Sequence, residues 1–451
     1  MKTIDRTRLR SLMEREEERF VLEHPRSREL FERARRSLLG GVPMNWMIKW
    51  AGAFPVFVAG AEGAHFTCVD GLDYVDLCLG DTGAMTGHSP RATVEAVVER
   101  ARRGLTFMLP TEDSVWVGEE LQRRFGLPWW QFCLTATDAN RFSLLLAREI
   151  TGRPKVLVFH GCYHGTVDET VVALEEGVTR PRRGNTGPPV DPALTTRVVE
   201  FNDVPALEAA LAPRDVACVL AEPAMTNVGI IHPQPGFHDA LRQITRRTGT
   251  LLILDETHTI CAGPGGYTRA HNLQPDFFIL GKPIAGGIPA ATYGFSEAVA
   301  QKILEHTRLE DCDVGGIGGT LAGNAFSLAV LRATLEHVLT PAAYEHMIAM
   351  ATRFTRGVEE AIARFAVPWH VTQLGCRAEY MFRPQHPRNG AEAFAAADFE
   401  LERFLHLYAL NRGILMTPFH NMALMSPATS QADVDRHTEV FREAVAELTA
   451  A

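Results

Sequence analysis

Two hydrophobic periods alternate along the chain. From Ile4 to Leu39, apolar and charged positions recur at helical spacing and stop at Gly40-Gly41. That pattern predicts an N-terminal helical docking arm on the surface, with a second subunit as its candidate partner. Pro55–Gly60 and Gly63–Leu79 are β-rich and broken by turn residues, which predicts a small meander. From about residue 80 short apolar runs take over. Trp130–Leu134, Lys155–Phe159, Ala217–Ala221, Leu251–Asp255, Phe277–Leu280 and Thr292–Phe295 read as buried strands. Amphipathic stretches such as Asn140–Thr151, Val204–Leu211 and Phe237–Thr248 lie between them. This alternation predicts an α/β fold whose mostly parallel sheet is covered by helices. After Leu321 come a long helical region, a strand-like Val371–Phe382 and further helices, which read as a smaller α+β domain. The expected division is 1–78 for the arm and meander, counted with the small domain, 79–325 for the large domain and 326–451 for the C-terminal part. Arg180–Pro192, rich in Arg, Gly and Pro, is the stretch expected to be mobile.

A length of 451 residues suits two domains better than one. The net charge of −9 leaves no basic footprint for nucleic acid, and Arg6 to Arg10 are followed by interleaved acids, as on a solvated helix face. The eight cysteines form no CxxC pair and no zinc-ligand spacing, so they read as small, reduced core residues. The N-terminus is too charged for a signal peptide, and apolar runs stop short of the ~20 residues a membrane helix needs. A cytoplasmic protein is expected, with no membrane partner and no metal.

The chemistry gathers at strand ends. Leu251-Leu-Ile-Leu-Asp255 delivers a carboxylate to the carboxyl end of a strand, where open α/β sheets bind ligands. Such a carboxylate is costly unless it meets a cation or metal. A magnesium-nucleotide site would need a phosphate loop, and Gly281-Lys282-Pro283 lacks both the upstream glycine and the following Ser or Thr. Lys282 lies 27 residues after Asp255, behind the apolar run Phe277–Leu280. A lysine so placed can be desolvated and nucleophilic toward aldehydes, although an isolated lysine is more often a surface residue. Thr135-Ala-Thr-Asp-Ala-Asn140 opens a helix and could hold an anion, or simply cap the helix through Thr137 or Asp138. In Phe159-His-Gly-Cys-Tyr-His-Gly165, zinc is rejected for want of a second ligand pair, and the glycine-flanked Tyr163 could lie flat on a ring. Glu222 ends another strand, and Gly318-Gly-Thr-Leu-Ala-Gly-Asn324 could contact phosphate or be a turn.

Taken in order, Thr135-Ala-Thr-Asp-Ala139, Gly161-Cys-Tyr-His-Gly165, Glu222-Pro223, Asp255-Glu256, Leu280-Gly-Lys-Pro283 and Gly319-Thr-Leu-Ala-Gly-Asn324 resemble the motifs of the class III, fold-type I aminotransferases. The resemblance runs from about Gly40 to the C-terminus. That family includes amine and ω-amino acid transaminases and glutamate-1-semialdehyde aminomutase. The resemblance implies pyridoxal 5′-phosphate as cofactor, held by Lys282 as a Schiff base, with Lys282 then shuttling a proton between substrate and cofactor carbons. It implies that Asp255 pairs with the ring nitrogen and keeps the ring an electron sink. It further implies that Tyr163 stacks on the ring, that the backbone of Ala136 and Thr137 holds the phosphate, and that Glu222 lies near the ring. Thr320 would complete the phosphate cup from a neighbouring subunit, which requires a homodimer.

Three departures stand out. Ala136 replaces a family glycine, and Thr257-His258 replaces the usual aliphatic residues. Met47 stands about where the aminomutase's early loop carries its carboxylate-binding arginine, so Trp46 and Met47 would form an apolar wall suited to a hydrophobic amine. The expected activity is transfer of an amino group from an amine or amino acid to a keto acid by ping-pong half-reactions. An aminomutase is the alternative, and a non-catalytic cofactor-binding homologue the alternative outside enzymes. A decarboxylase or racemase fits the motifs less well. Period-two reading of Val371–Phe382 puts Gln373, Arg377 and Glu379 on one face. There Arg377 would either clamp a keto-acid carboxylate or pair with Glu379 on a solvated surface.

Overall fold

In a computed structural model that describes residues 4–185, 187–307 and 317–450, the chain divides into two units. The larger comprises Arg91–Pro341 and Pro387–Ala395; the smaller comprises the chain up to Pro90, Ala342–His386 and the chain from Ala396. The boundaries therefore fall at 90/91 and 341/342 rather than at 78/79 and 325/326. The 387–395 segment rejoins the large unit, where Asn202 Nδ2 donates to the Arg388 carbonyl at 2.8 Å.

The large unit is built on seven strands: β1 (Trp129–Cys133), β2 (Lys155–Phe159), β3 (Thr196–Val199), β4 (Val216–Ala221), β5 (Leu251–Asp255), β6 (Phe277–Leu280) and β7 (Ala291–Phe295). Their order across the sheet is β1-β7-β6-β5-β4-β2-β3, parallel throughout except that β7 runs against both its neighbours. β3 escaped the sequence reading because its four residues lack a long apolar run. β4, β6 and β7 are buried along their whole length, as aliphatic strands covered on both faces must be. The helix Ala136–Thr151 follows β1 and lays Ala139, Phe142, Leu146 and Ile150 into the core shared with Leu220, Ile253, Ile279 and Tyr293. Its packing fixes the helix start beside the carboxyl ends of the central strands. Arg180–Pro192 is tied down at its start, because Val178–Pro181 pairs with Val172–Glu175 and Arg182 Nη1 donates to the Cys162 carbonyl at 3.1 Å.

In the small unit the arm is two helices, Arg6–Glu23 and Pro25–Ala34, because a residue before proline resists the helical conformation and His24 turns out of it. The first helix buries Leu9, Leu12, Glu16 and Phe20 and packs against the helix Phe399–Leu410 of its own unit. The meander Val58–Glu62, His65–Cys68 and Asp73–Asp76 gains Ile414–Leu415 as a fourth, parallel strand. Val371–Phe382 is not one strand but a hairpin, His370–Leu374 with Arg377–Met381, turning at Gly375 (φ 56°), where glycine adopts the left-handed region at no steric cost. Leu374 faces Arg377 across this hairpin, so Gln373 lies on the opposite face from Arg377 and Glu379. Nor is that face solvated: Arg377 is 0% exposed, its Nη2 lies 3.7 Å from Glu379 Oε2, and Glu379 Oε1 is 3.1 Å from His420 Nδ1.

Seven cysteines are buried and none of these is in a disulfide, and Cys312 lies outside the described residues. No helix among the described residues is long and apolar enough to cross a membrane.

The arm is anchored by charge. Burial would push the Glu16 carboxyl up, but hydrogen bonds from Arg412, Asn411 and Arg15 hold it below its usual value. Arg412 Nη1 and Asn411 Nδ2 reach Glu16 Oε2 at 3.0 and 2.9 Å. Arg412→Ala should therefore lower stability by about 2–3 kcal/mol, less than the full cost of stranding a buried charge because Arg15 remains. The urea midpoint measures it, and an unchanged midpoint would mean the arm is held by apolar contacts alone.

Candidate active site

The site begins with Asp255 at the end of β5, only 4% exposed. Its Oδ2 accepts from Asn140 Nδ2 and from His164 Nδ1, each at 2.9 Å, and its Oδ1 accepts the Thr257 N–H at 3.1 Å. Burial alone would raise the Asp255 pKa; His164, Thr257 and Asn140 outweigh it and bring it down to about 2. For His164, burial works against the charged ring, but Cys162 and Asp255 hold its pKa well above the usual imidazole value. Asn140 also donates to the His164 carbonyl at 3.2 Å, so one amide clamps both the carboxylate and the loop that carries its partner.

Lys282 follows β6. Gly281 is the hinge of this approach, because a Cβ there would sit 2.9 Å from the Ala136 Cβ, and only a glycine lets the strand end meet the helix start so closely. Lys282 itself adopts φ +52°, a left-handed backbone that costs a non-glycine residue about 1–2 kcal/mol. Its half-buried side chain brings Nζ to 2.8 Å from His258 Nε2. His258 stands three residues beyond Asp255, on a loop whose fixed point is Glu256. Buried Glu256 accepts from Thr259 Oγ1 at 2.7 Å, the Tyr267 N–H at 3.0 Å and the Thr268 N–H.

The helix that carries Asn140 is capped by Thr135, whose Oγ1 accepts the Asp138 N–H at 3.2 Å, and not by Thr137 or Asp138. Ala136 and Thr137 are its first residues, whose N–H groups have no partner within the helix and face outward with the positive end of its dipole. The Thr137 hydroxyl accepts the Thr166 N–H at 3.2 Å. Gly165 (φ +79°) lies against it so tightly that a Cβ would stand 2.1 Å from Thr137 Oγ1. The Tyr163 loop is thus joined to the helix start at Gly165 and to Asp255 at His164, with Tyr163 half-buried between. Glu222 follows β4 at the level at which Asp255 ends β5, since Ala221 pairs with Leu254. It is buried, and its Oε2 accepts the Thr226 N–H at 3.0 Å and the Thr226 hydroxyl.

Lys282, Asp255, Glu222 and Tyr163 therefore stand at or just beyond the ends of the contiguous strands β6, β5, β4 and β2 of one unit, and Ala136 and Thr137 follow β1, which β7 separates from β6. Thr320 sits exposed in a turn ahead of the helix Ala325–Ala333. Trp46, Met47 and Arg377 belong to the small unit. There Trp46 meets Phe419 edge-on at 5.5 Å, and Met47 lines an apolar cavity of about 380 Å³ with Trp50, Phe66, Leu410 and Leu415. Sequence reasoning missed Asn140, His164 and Glu256 as working residues. The signal for Asn140 was an amide on a buried helix face whose other residues, Ser143 aside, are apolar.

A mostly parallel, doubly covered sheet with a lysine and an ionised carboxylate at adjacent strand ends, beside a helix start, defines the fold-type I transferases. The chain belongs to the class-III aminotransferases, whose family model matches residues 47–445. It is 34% identical over 433 residues to a glutamate-1-semialdehyde 2,1-aminomutase of Sorangium cellulosum, covering 94% of this chain and 96% of the other. The crystal structure of a glutamate-1-semialdehyde-aminomutase from Pseudomonas aeruginosa PAO1 superposes with TM-score 0.97 at 52% identity, over 99% of each chain. An ω-transaminase from Sphaerobacter thermophilus gives 0.85 at 27% identity, over 94% of this chain and 98% of the other.

The ionic character of the Asp255–His164 pair has a pH signature. A carboxylate depressed in the folded state contributes stability above its unfolded pKa of about 3.9, and loses it as pH falls through about 2. The raised imidazole contributes fully below about 6.5 and loses that only above its folded pKa. Asp255→Asn should therefore destabilise most near pH 4 to 6.5, on the order of 2 kcal/mol, and progressively less toward pH 2. Urea midpoints of both proteins across that range measure it, and a constant difference would mean a neutral pair.

Proposed function

We propose that this enzyme is an aminotransferase that takes an amino group from an amine or amino-acid donor and passes it to a keto acid in two half-reactions. The cofactor is pyridoxal 5′-phosphate, which when bound supplies an aldehyde that condenses with amines and a ring that draws electrons from the reacting carbon. The carrying observation is that the Asp255 carboxyl group, held by hydrogen bonds from Asn140 and His164, sits at the strand end beside the one that carries Lys282. A carboxylate so prepared suits a cationic ring nitrogen, and a helix start with outward N–H groups suits a phosphate.

In this reading each residue has its own role. Asp255 holds a proton on the ring nitrogen. Lys282 joins the cofactor and then carries a proton between the two reacting carbons. The N–H groups of Ala136 and Thr137 bind the phosphate, Tyr163 covers one ring face, and Glu222 borders the ring. Thr320 serves the site of a second copy in a homodimer. Supporting that assembly, the exposed turn at Leu321 adjoins a surface with exposed Leu105, Phe107, Met108 and Leu109, and the Phe326 N–H donates to the Leu105 carbonyl at 3.1 Å. Trp46 and Met47 present an apolar wall to a hydrophobic donor. Arg377 is left out of substrate binding: a guanidinium 0% exposed offers no face to an entering carboxylate, and it neutralises Glu379 instead.

The second reading, a glutamate-1-semialdehyde 2,1-aminomutase, is favoured by the relatives and the 52%-identical structure, all so described. Against it stands Met47 in place of a carboxylate-binding arginine. The two separate on stoichiometry. An aminomutase rearranges glutamate-1-semialdehyde with no keto acid present. The proposed aminotransferase leaves it unchanged and turns over a hydrophobic amine only when a keto acid is added.

Two outcomes are expected for the lysine. Borohydride reduction should fix the cofactor to Lys282, read by peptide mass spectrometry, and Lys282→Ala should cost several powers of ten in turnover. A label on another lysine would overturn the assignment.

A further inference from the structure

The Lys282–His258 contact has no place in the roles above, yet its geometry is specific. His258 Nε2 accepts from Lys282 Nζ at 2.8 Å, a good hydrogen-bond length. Both ends are fixed by independent means. His258 directly precedes the short turn Thr259–Ala262, and its loop is tied through buried Glu256 to Thr259, Tyr267 and Thr268. Lys282 is fixed at its backbone, in the left-handed region, between Gly281 against Ala136 and the turn closed by the Gly286 N–H on the Pro283 carbonyl at 3.0 Å. What remains loose in a lysine is its four-carbon stem, and a hydrogen bond to a fixed imidazole removes that freedom.

We infer that His258 is a positioning residue that holds the Lys282 amine in place whenever that amine is not joined to the cofactor. The inference rests on the reading of Lys282 as the cofactor lysine. An amine held at one spot by a ring nitrogen meets an incoming aldehyde without first losing rotamer entropy; its nitrogen adds to the aldehyde carbon and water leaves as the carbon–nitrogen double bond forms, so His258 accelerates attachment. A residue acting only on the amine has no effect on a cofactor form without an aldehyde. Pyridoxamine 5′-phosphate is that control, since it enters the same site and cannot join the lysine.

The test uses the full chain freed of cofactor by conversion to the amine form and dialysis. It compares the wild type with His258→Ala and His258→Gln. One measurement is the rate of borohydride-stable attachment of pyridoxal 5′-phosphate to Lys282; the other is the dissociation constant of pyridoxamine 5′-phosphate. His258→Ala should slow attachment about threefold to tenfold, the range to which the net worth of one hydrogen bond converts, with affinity for the amine form unchanged. His258→Gln, whose amide oxygen can accept the same bond, should recover most of the rate. An alanine variant as fast as the wild type, loss of both attachment and amine-form affinity, or a glutamine variant as slow as alanine would each overturn the inference. Failure of the wild type itself to attach cofactor at Lys282 would overturn instead the reading of the lysine.

Discussion

The hydrogen bonds that Asp255 accepts from Asn140 and His164 are the constraint on which the rest of the site depends. A carboxylate this buried is unfavourable in isolation, and here three donors from three segments meet it: a helix, the Tyr163 loop and its own loop at Thr257. Because Asn140 also holds the His164 carbonyl, the three segments cannot shift independently. The helix start, the tyrosine loop and the carboxylate thus take positions set by one group. Charge does this more specifically than apolar packing would, since only one arrangement satisfies all the donors at once.

A second buried carboxylate plays the complementary part. Glu256, adjacent to Asp255, points into the loop that follows and is held by its hydroxyl and N–H donors. Burial raises its pKa while those hydrogen bonds oppose the rise, so it acts as a local anchor rather than a poised ion. The Asp-Glu pair therefore divides its labour: one carboxylate organises the cofactor side, and the next fixes the loop that presents His258.

Much of this was legible along the chain, for identifiable reasons. Apolar runs marked β2, β5 and β6 to the residue, because strands covered on both faces carry polar residues only at their ends, Lys155 and Asp255, and none between to blur the run. Asp255 and Lys282 were legible because each ends such a run. The hairpin at Gly375 was not: its two strands share an unbroken alternation, so a period-two reading runs through the turn and misassigns Gln373. Burial of Arg377 was equally hidden, since its enclosure comes from elements distant in sequence, notably the strand Met422–Leu424 and His420. Asn140, His164 and Glu256 stood inside recognised motifs, but their work lies in long-range hydrogen bonds that spacing does not report.

Ala136, where the resemblance implied a glycine, is accommodated in structural terms. A glycine is indispensable only where the backbone needs the left-handed region or where a neighbour occupies the Cβ position. Ala136 opens a regular helix and carries no positive φ, so the first need is absent. The second is met from the other side: the Ala136 methyl lies where it would contact any side chain at 281, and residue 281 is glycine. The methyl therefore occupies space that Gly281 leaves open. It also presses the helix start against the strand end that carries Lys282, whose backbone is held in a conformation it would not choose alone. One small side chain across from one absent side chain thus joins the start of the Asn140 helix to the strand end that carries the lysine.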